Sequence, residues 1–212
     1  MKVKSFTFNS FEENTYILYD ETKECIIVDP GCYSENEKNK LTDFISSNEL
    51  NPIKLINTHC HIDHIFGNKF VCNEWDIPLY IHKFDLALLE QSVRIAEIYG
   101  FENYEQSPKP QYFLDQNDSV KFGNSNLNIL FAPGHAPGHI CLYSKENDLL
   151  ISGDVIFKGS IGRTDLPGGD HKTLIESIKK MLSFLPEKTQ VFCGHGPPTN
   201  IGFEKENNPF LL

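Results

Sequence analysis

The run "IKLINTHCHIDH" takes a strand-like segment straight into three histidines and one aspartate, His59, His61, Asp63 and His64. Imidazole and carboxylate both cost free energy when buried without a partner, and crowded imidazoles repel one another once protonated. A divalent cation removes both costs, because neutral imidazole nitrogens and an ionised carboxylate are natural donors to it. That requirement constrains the fold, since a strand must deliver these side chains to a point other donors also reach. Residues two apart in an extended segment share a side. His59 and His61 therefore suit one ion, while Cys60 between them points away. Asp63 and His64, beyond the strand, are free to turn towards another ion.

Three more donors sit where a strand runs into a loop. His135 closes "ILFAPGH", Asp154 closes "LLISGD" and His195 falls in "VFCGHG". Each follows a glycine, which lets the backbone turn sharply, and strand ends are where layered α/β folds assemble their sites. The total is five histidines and two aspartates. A structural zinc site usually closes one ion with four protein donors, often thiolates. Seven donors without cysteine fit two ions that share an aspartate and a solvent molecule, which is a catalytic arrangement.

The elements around these donors alternate. "VKSFTF", "NTYILYD" and "ECIIVDPG" read as strands, and Ser34 with Glu37 has capping-box spacing for a helix carrying Leu41, Phe44 and Ile45. After "IKLINTH", a helix is expected over "IFGNKFVCNEWD", a strand at "LYIH" and a helix over "KFDLALLEQSVRIAEIYG". Residues 103–116 carry two prolines and no periodicity, so they read as a loop placed to act as a lid. Strands "SVKFG", "NLNILFAPGH", "HICLYSK" and "LLISGD" follow. Asp170 then N-caps a helix through Leu185, and "QVFCGHG" is the last strand expected. Strands first and a helix after them in each half suggest two sheets packed together with helices outside.

A chain of 212 residues fits one domain, residues 1–212, with no linker composition to divide it. The formal net charge of −10 argues against nucleic acid or an anionic membrane as partner. No apolar run approaches the roughly 20 residues that cross a bilayer, and the N-terminal stretch does not read as a signal peptide. The six cysteines form no Cys-x-x-Cys pair. They read as buried reduced thiols, and the expected location is the cytoplasm.

His-x-His-x-Asp-His followed by Gly-His, Gly-Asp and Gly-His resembles the metallo-β-lactamase superfamily, and Asp29 in "VDPG" extends the match. "GSIGRTDLPGGD" and "GHGPPTNIGFEKENNPFL" resemble its short glyoxalase II-like hydrolases. The resemblance implies a four-layer αβ/βα sandwich of two mixed sheets with helices on the outer faces. It implies two divalent metal ions, zinc first and iron or manganese as alternatives. His59, His61 and His135 would hold one, Asp63, His64 and His195 the other, with Asp154 bridging. Asp63 would also be catalytic, orienting a metal-activated water that hydrolyses a small-molecule thioester of the hydroxyacyl-glutathione type or a related ester. Glyoxalase II enzymes of that type carry a C-terminal helical domain for glutathione, whereas this chain ends 17 residues after His195, at Leu212, so weak glutathione preference is expected. Two alternatives stand beside this reading. "GRTD" also resembles persulfide dioxygenases, with one iron on His59, His135 and Asp154; the other alternative is a non-enzymatic metal-binding module.

The remaining candidates have plainer readings. His82 is read as structural or on the surface, and His139 as a neighbour of the site. His171 begins a helix, where a cation is disfavoured. Arg163 and Asp165 are read as an ion pair fixing their loop, and Asp29 either satisfies its turn or orients a ligand histidine.

Overall fold

In the computed structural model, which describes all 212 residues, the chain divides into two compact units. They comprise residues 1–114 with 121–126, and residues 115–120 with 127–212. The first unit opens with an antiparallel meander of β1 (Lys2–Phe8), β2 (Glu13–Tyr19) and β3 (Glu24–Val28). Then come α1 (Glu35–Ser47), β4 (Asn51–Ile56), α2 (Ile62–Ile65), α3 (Asn68–Trp75), β5 (Leu79–Ile81), α4 (Leu86–Tyr99) and β6 (Tyr112–Phe113). The sheet runs in order β1-β2-β3-β4-β5-β6 and is parallel from β3 onward.

Helix α1 starts as its sequence directs. Ser34 accepts from the Glu37 amide, and the Glu37 carboxylate reaches back to the Ser34 amide at 2.9 Å. The helix expected over residues 65–76 is interrupted at Phe66–Gly67. There the Gly67 amide leaves the helical ladder for the Pro30 carbonyl at 2.7 Å. A Cβ at Gly67 would overlap the Cys32 sulfur, so glycine is required where the two segments meet.

Apolar residues from α1, α3 and α4 (Leu41, Ile45, Val71, Leu89, Ala96) pack with Ile17, Cys25, Ile27, Leu55, Leu79 and Ile81 of the sheet. Leu18, Ile26, Val28 and Ile56 on the other face are equally buried, the usual condition of strands in a parallel sheet. Residues 103–116 are not wholly loop. Tyr112 and Phe113 pair with β5, and Tyr104 donates from its hydroxyl to Ser92 at 3.0 Å and packs on Phe66. That segment is tied to α4 and β5.

The second unit supplies most of the other sheet, order β14-β13-β10-β9-β8-β7. Its elements are β7 (Ser119–Phe122), β8 (Ser125–Phe131), β9 (Ile140–Ser144), β10 (Leu149–Gly153), the hairpin of β11 (Ile156–Phe157) and β12 (Ser160–Ile161), α5 (His171–Phe184), β13 (Gln190–Cys193), β14 (Thr199–Asn200) and α6 (Ile201–Asn207). β13 lies parallel to β10, whereas β8 with β9, β9 with β10 and β13 with β14 pair antiparallel, so this sheet is mixed too. Asp170 caps α5 by accepting from the Thr173 amide at 2.7 Å. Leu174, Ile178 and Met181 of that helix meet Cys141, Tyr143, Leu150, Val191 and Cys193.

The chain after Cys193 carries more structure than its sequence advertises. β14 and α6 are short, and what anchors them is Glu204, a fully buried carboxylate. It accepts from the Gly159 amide, the Thr199 hydroxyl and the Asn208 amide group. Long-range hydrogen bonds of this kind leave no periodic trace in a sequence. No helix is long and apolar enough to cross a membrane.

Candidate metal centre

In the first unit, β4 ends at Ile56 and the next eight residues carry the donors. Five side chains fix this segment. Asp29, buried at the end of β3, accepts from the Thr58 amide at 2.7 Å and from the Thr58 hydroxyl at 2.6 Å. Its Oδ2 also lies 3.2 Å from His64 Nδ1. Asn57 and Asn68 exchange amide hydrogen bonds, and Asn57 also donates to the His64 carbonyl. Asp85 accepts from the Cys60 amide, and Asn9 donates to the Asp63 carbonyl.

These bonds decide which nitrogen each ring presents. The Thr58 hydroxyl spends its only proton on Asp29, so at 3.1 Å from His59 Nδ1 it must accept. His59 therefore carries its proton on Nδ1 and presents Nε2 as a lone pair. His64 donates Nδ1–H to Asp29 and likewise presents Nε2. Hydrogen bonds of this sort are what fix the tautomer and direction of metal-bound histidines. The His59 ring centroid lies 4.8 Å from that of His61 and 4.1 Å from that of His64. Asp63 Oδ2 is 3.5 Å from His64 Nε2.

Asp29, His59 and His64 also place one donor atom each within 4.8 Å of one another. Asp29 is nonetheless committed to Thr58 and His64 and serves as their orienting acceptor. Cys60 is buried, and burial, with the carboxylates of Asp85 and Asp29, pushes its thiol well above the usual range. It stays protonated between two histidines and is no thiolate ligand.

In the second unit the three expected donors converge on one atom. Asp154 Oδ2 lies 3.5 Å from His135 Nε2 and 3.5 Å from His195 Nε2. His135 Nδ1 is 2.7 Å from the Arg163 carbonyl, which can only accept, so this ring also presents Nε2. The motif around Arg163 works through its backbone. A Cβ on Gly162 would overlap the Asp154 carbonyl and crowd His135 Nδ1 at 3.1 Å. The bare glycine is what lets the Arg163 carbonyl reach the ring. The Arg163 side chain makes a bidentate pair with Asp165 at 2.7 and 2.6 Å in the open. That pair holds Asp165 at a pKa of about 2, chiefly through the hydrogen bond from Arg163. His139 is fully buried, and its Nε2 accepts from the Asp154 amide at 3.0 Å, fixing the backbone of that aspartate.

Donor chemistry in both units fits divalent cations. The atoms presented are imidazole Nε2 and carboxylate oxygen, without thiolate, and three of the rings have Nδ1 committed to an acceptor. Sequence reasoning missed Asp85, Asn9 and Glu13. Glu13 is fully buried on β2, with Oε2 accepting from Thr15 and Oε1 3.9 Å from His64 Nδ1. Burial pushes its carboxyl well above the ordinary range, His64 opposes this, and Asp29 adds to it. Its signal was an acidic residue at the start of an apolar strand. His82 is buried rather than superficial, its Nδ1 accepting from the Phe84 amide.

A fold of two mixed sheets with helices, carrying clustered histidines and aspartates at strand ends, defines a class of metallo-hydrolase. Residues 10–195 match the model of the metallo-beta-lactamase superfamily, and the chain belongs to that family. It has the superfamily's α/β sandwich fold. It is 39% identical to a probable metallo-hydrolase, YqgX, of Bacillus subtilis, over 100% of this chain and 98% of that one. It is 34% identical to the hydroxyacylglutathione hydrolase GloC of Haemophilus influenzae, with 100% and 98% covered. Among solved structures, the BLEG-1 B3 metallo-beta-lactamase superposes with a TM-score of 0.90 at 36% identity, covering 99% of both chains. TTHA1623 in a di-iron-bound form gives 0.87 at 36% identity, covering 98% of this chain and 100% of that one.

Proposed function

We propose that this chain is a dinuclear metal-dependent hydrolase that cleaves a thioester of the hydroxyacyl-glutathione type or a related ester. The observation that carries the reading is the shared presentation of Nε2 by His59, His64 and His135, each with Nδ1 tied to an acceptor. Following the family order, His59, His61 and His135 would hold one ion, and Asp63, His64 and His195 the other. Asp154, with one oxygen equidistant from His135 and His195, would serve both. When bound, the ions supply Lewis acidity for the scissile carbonyl and bring the pKa of a bound water down to roughly 7.

The protein's own groups do the rest. Asp63 would orient the attacking water and take up its proton, while Asp29, Thr58 and the Arg163 carbonyl keep the Nε2 atoms of His64, His59 and His135 aimed. The thioester preference is supported by the named activity of the Haemophilus relative.

Metal analysis of protein purified without added metal, alongside a panel of thioesters, esters and persulfides, tests the proposal. Two ions per chain and metal-dependent thioester turnover are expected. The di-iron-bound relative makes iron a real contender for the native metal. One iron with oxygen uptake on a persulfide would replace hydrolase by oxygenase. No turnover at all would leave a binding module.

A further inference from the structure

We infer that Asp85 and Asn9 are positioning residues that act independently, one for each ion, by gripping different peptides of the 59–64 segment. The inference rests on the dinuclear reading above and adds two residues to it.

Asp85 ends a short 3-10 turn, Lys83–Asp85, and stands at the N-cap of α4. An aspartate there ordinarily accepts from the first-turn amides of its helix. This one makes no such capping bond. It is fully buried, and its Oδ2 accepts from the Cys60 amide at 2.8 Å. Burying a carboxylate is expensive, and here one of its oxygens holds the peptide that joins His59 to Cys60. Fixing that peptide fixes the backbone from which the His59 and His61 rings project, and their planes stand at 89°.

Asn9 sits in the turn between β1 and β2 with φ of 49°, a left-handed conformation that asparagine tolerates better than most residues. Every group of this residue that the grip needs is engaged. Its amide donates to Glu37 Oε1 at 2.6 Å, which ties the turn to the capping carboxylate of α1. Its Oδ1 accepts from the Phe11 amide. Its Nδ2 donates to the Gly31 carbonyl and to the Asp63 carbonyl, both at 3.0 Å. The Asp63 carbonyl belongs to the peptide joining Asp63 to His64, two ligands assigned to the other ion. Gly31 admits the grip, because a Cβ there would meet Asn9 Nδ2 and the Asp63 carbonyl at 2.7 Å.

The two grips thus come from separate elements and act on separate peptides. Independent sites of this kind give additive effects. Losing an orienting contact to a metal ligand typically weakens binding 10–100-fold.

The test is zinc titration of the chelator-stripped full chain against a competing indicator, with fold monitored by circular dichroism. Wild type should show two binding events. His61→Ala and Asp63→Ala identify which event belongs to which ligand group. Asp85→Ala should weaken the His61 event roughly 10–100-fold and leave the other within about twofold. Asp85→Asn, which keeps an acceptor for the Cys60 amide, should restore it. Asn9→Asp, equal in shape but without N–H donors, should weaken only the Asp63 event by a similar factor.

A wild type binding a single ion overturns the dinuclear reading and this assignment together. Two wild-type events that neither variant moves, or that both variants move alike, overturn the assignment alone. If Asp85→Ala does not fold, Asn9→Asp decides the matter, since it must lower one identified affinity and not the other.

Discussion

The two donor sets are built on opposite plans. In the first unit four candidate ligands fall between residues 59 and 64, on a segment with little regular structure beyond the single turn of α2. In the second, three ligands are spread from residue 135 to residue 195, and each follows directly on a strand or its loop. The contiguous set has no ladder to hold it, so side chains from the ends of β3 and β4 and from the turns before β2 and α4 grip its peptides. The dispersed set inherits its positions from sheet register, as in the pairing of β10 with β13. What it requires from the sequence is missing bulk, at Gly162 above all. Proximity in sequence makes ligands easy to recognise and expensive to hold still. Separation reverses both.

The sharpest way to break this contrast is Asp29→Ala. It removes the acceptor for three buried donors at once, and the expected loss is about 3–5 kcal/mol of stability. Metal affinity should fall with it, because His59 and His64 both lose their orientation. Urea unfolding of the metal-free protein measures the first part, and a loss under about 1 kcal/mol would show that the segment holds itself. Gly162→Ala probes the other plan. Overpacking against the Asp154 carbonyl and His135 should cost about 1–3 kcal/mol and reduce metal retention, whereas an unchanged melting curve and full metal content would show that the close approach is dispensable.

Asp20 sharpens the contrast with a grip far from the ligands. Burial works against its charge, but hydrogen bonds from Thr22, Ser125 and Asn124 outweigh it and lower its pKa. A lowered folded pKa means the carboxylate's contribution is complete above the unfolded value of about 3.9 and drains away as pH falls through the folded value. Asp20→Asn should therefore show a shallower acid limb of stability below about pH 4, with metal binding at neutral pH unaltered. An acid limb identical to wild type would remove Asp20 from the account. The smallest effect belongs to Arg163→Ala. Its pair with Asp165 is exposed, and solvent screening leaves such pairs little effect on stability. Since the carbonyl rather than the side chain holds His135, metal content should not move, and a clear loss of metal would show that the guanidinium has its own part in the site.

How much of this was legible in the sequence follows from the same contrast. The caps at Ser34 and Asp170 are local signals that the structure has as read. Strands do lead into the 59–64 run and His135, although β4 stops at Ile56 and β8 at Phe131, short of the histidines read as their ends. Asp85 looked like an ordinary residue at the start of an amphipathic helix, because nothing local says that its carboxylate turns from that helix to a peptide 25 residues earlier. Nothing local marks Asn9 either, whose side-chain amide reaches a carbonyl 54 residues on. Glu204 and the short elements it anchors lay beyond periodicity altogether, and Gly67 split a helix that the apolar pattern ran through. Local chemistry was readable, and the partners recruited across the fold were not.

The six thiols carry a consequence for which metals the protein accepts. Five are buried and one is partly so. Burial raises Cys25 and Cys193 to about 12 and, with Lys69 opposing, Cys72 to about 11. A thiol at 11 offers roughly one thiolate in ten thousand molecules at neutral pH. A sulfur-seeking ion such as cuprous copper therefore meets thiols that are mostly buried and protonated, although the chain holds nearly as many cysteines as histidines. The choice is left to imidazole and carboxylate, which rank the borderline divalent ions by affinity but poorly by identity. Occupancy then reflects which of those ions the surroundings supply, so the same polypeptide made under zinc-rich and iron-rich conditions should emerge as two different metalloforms.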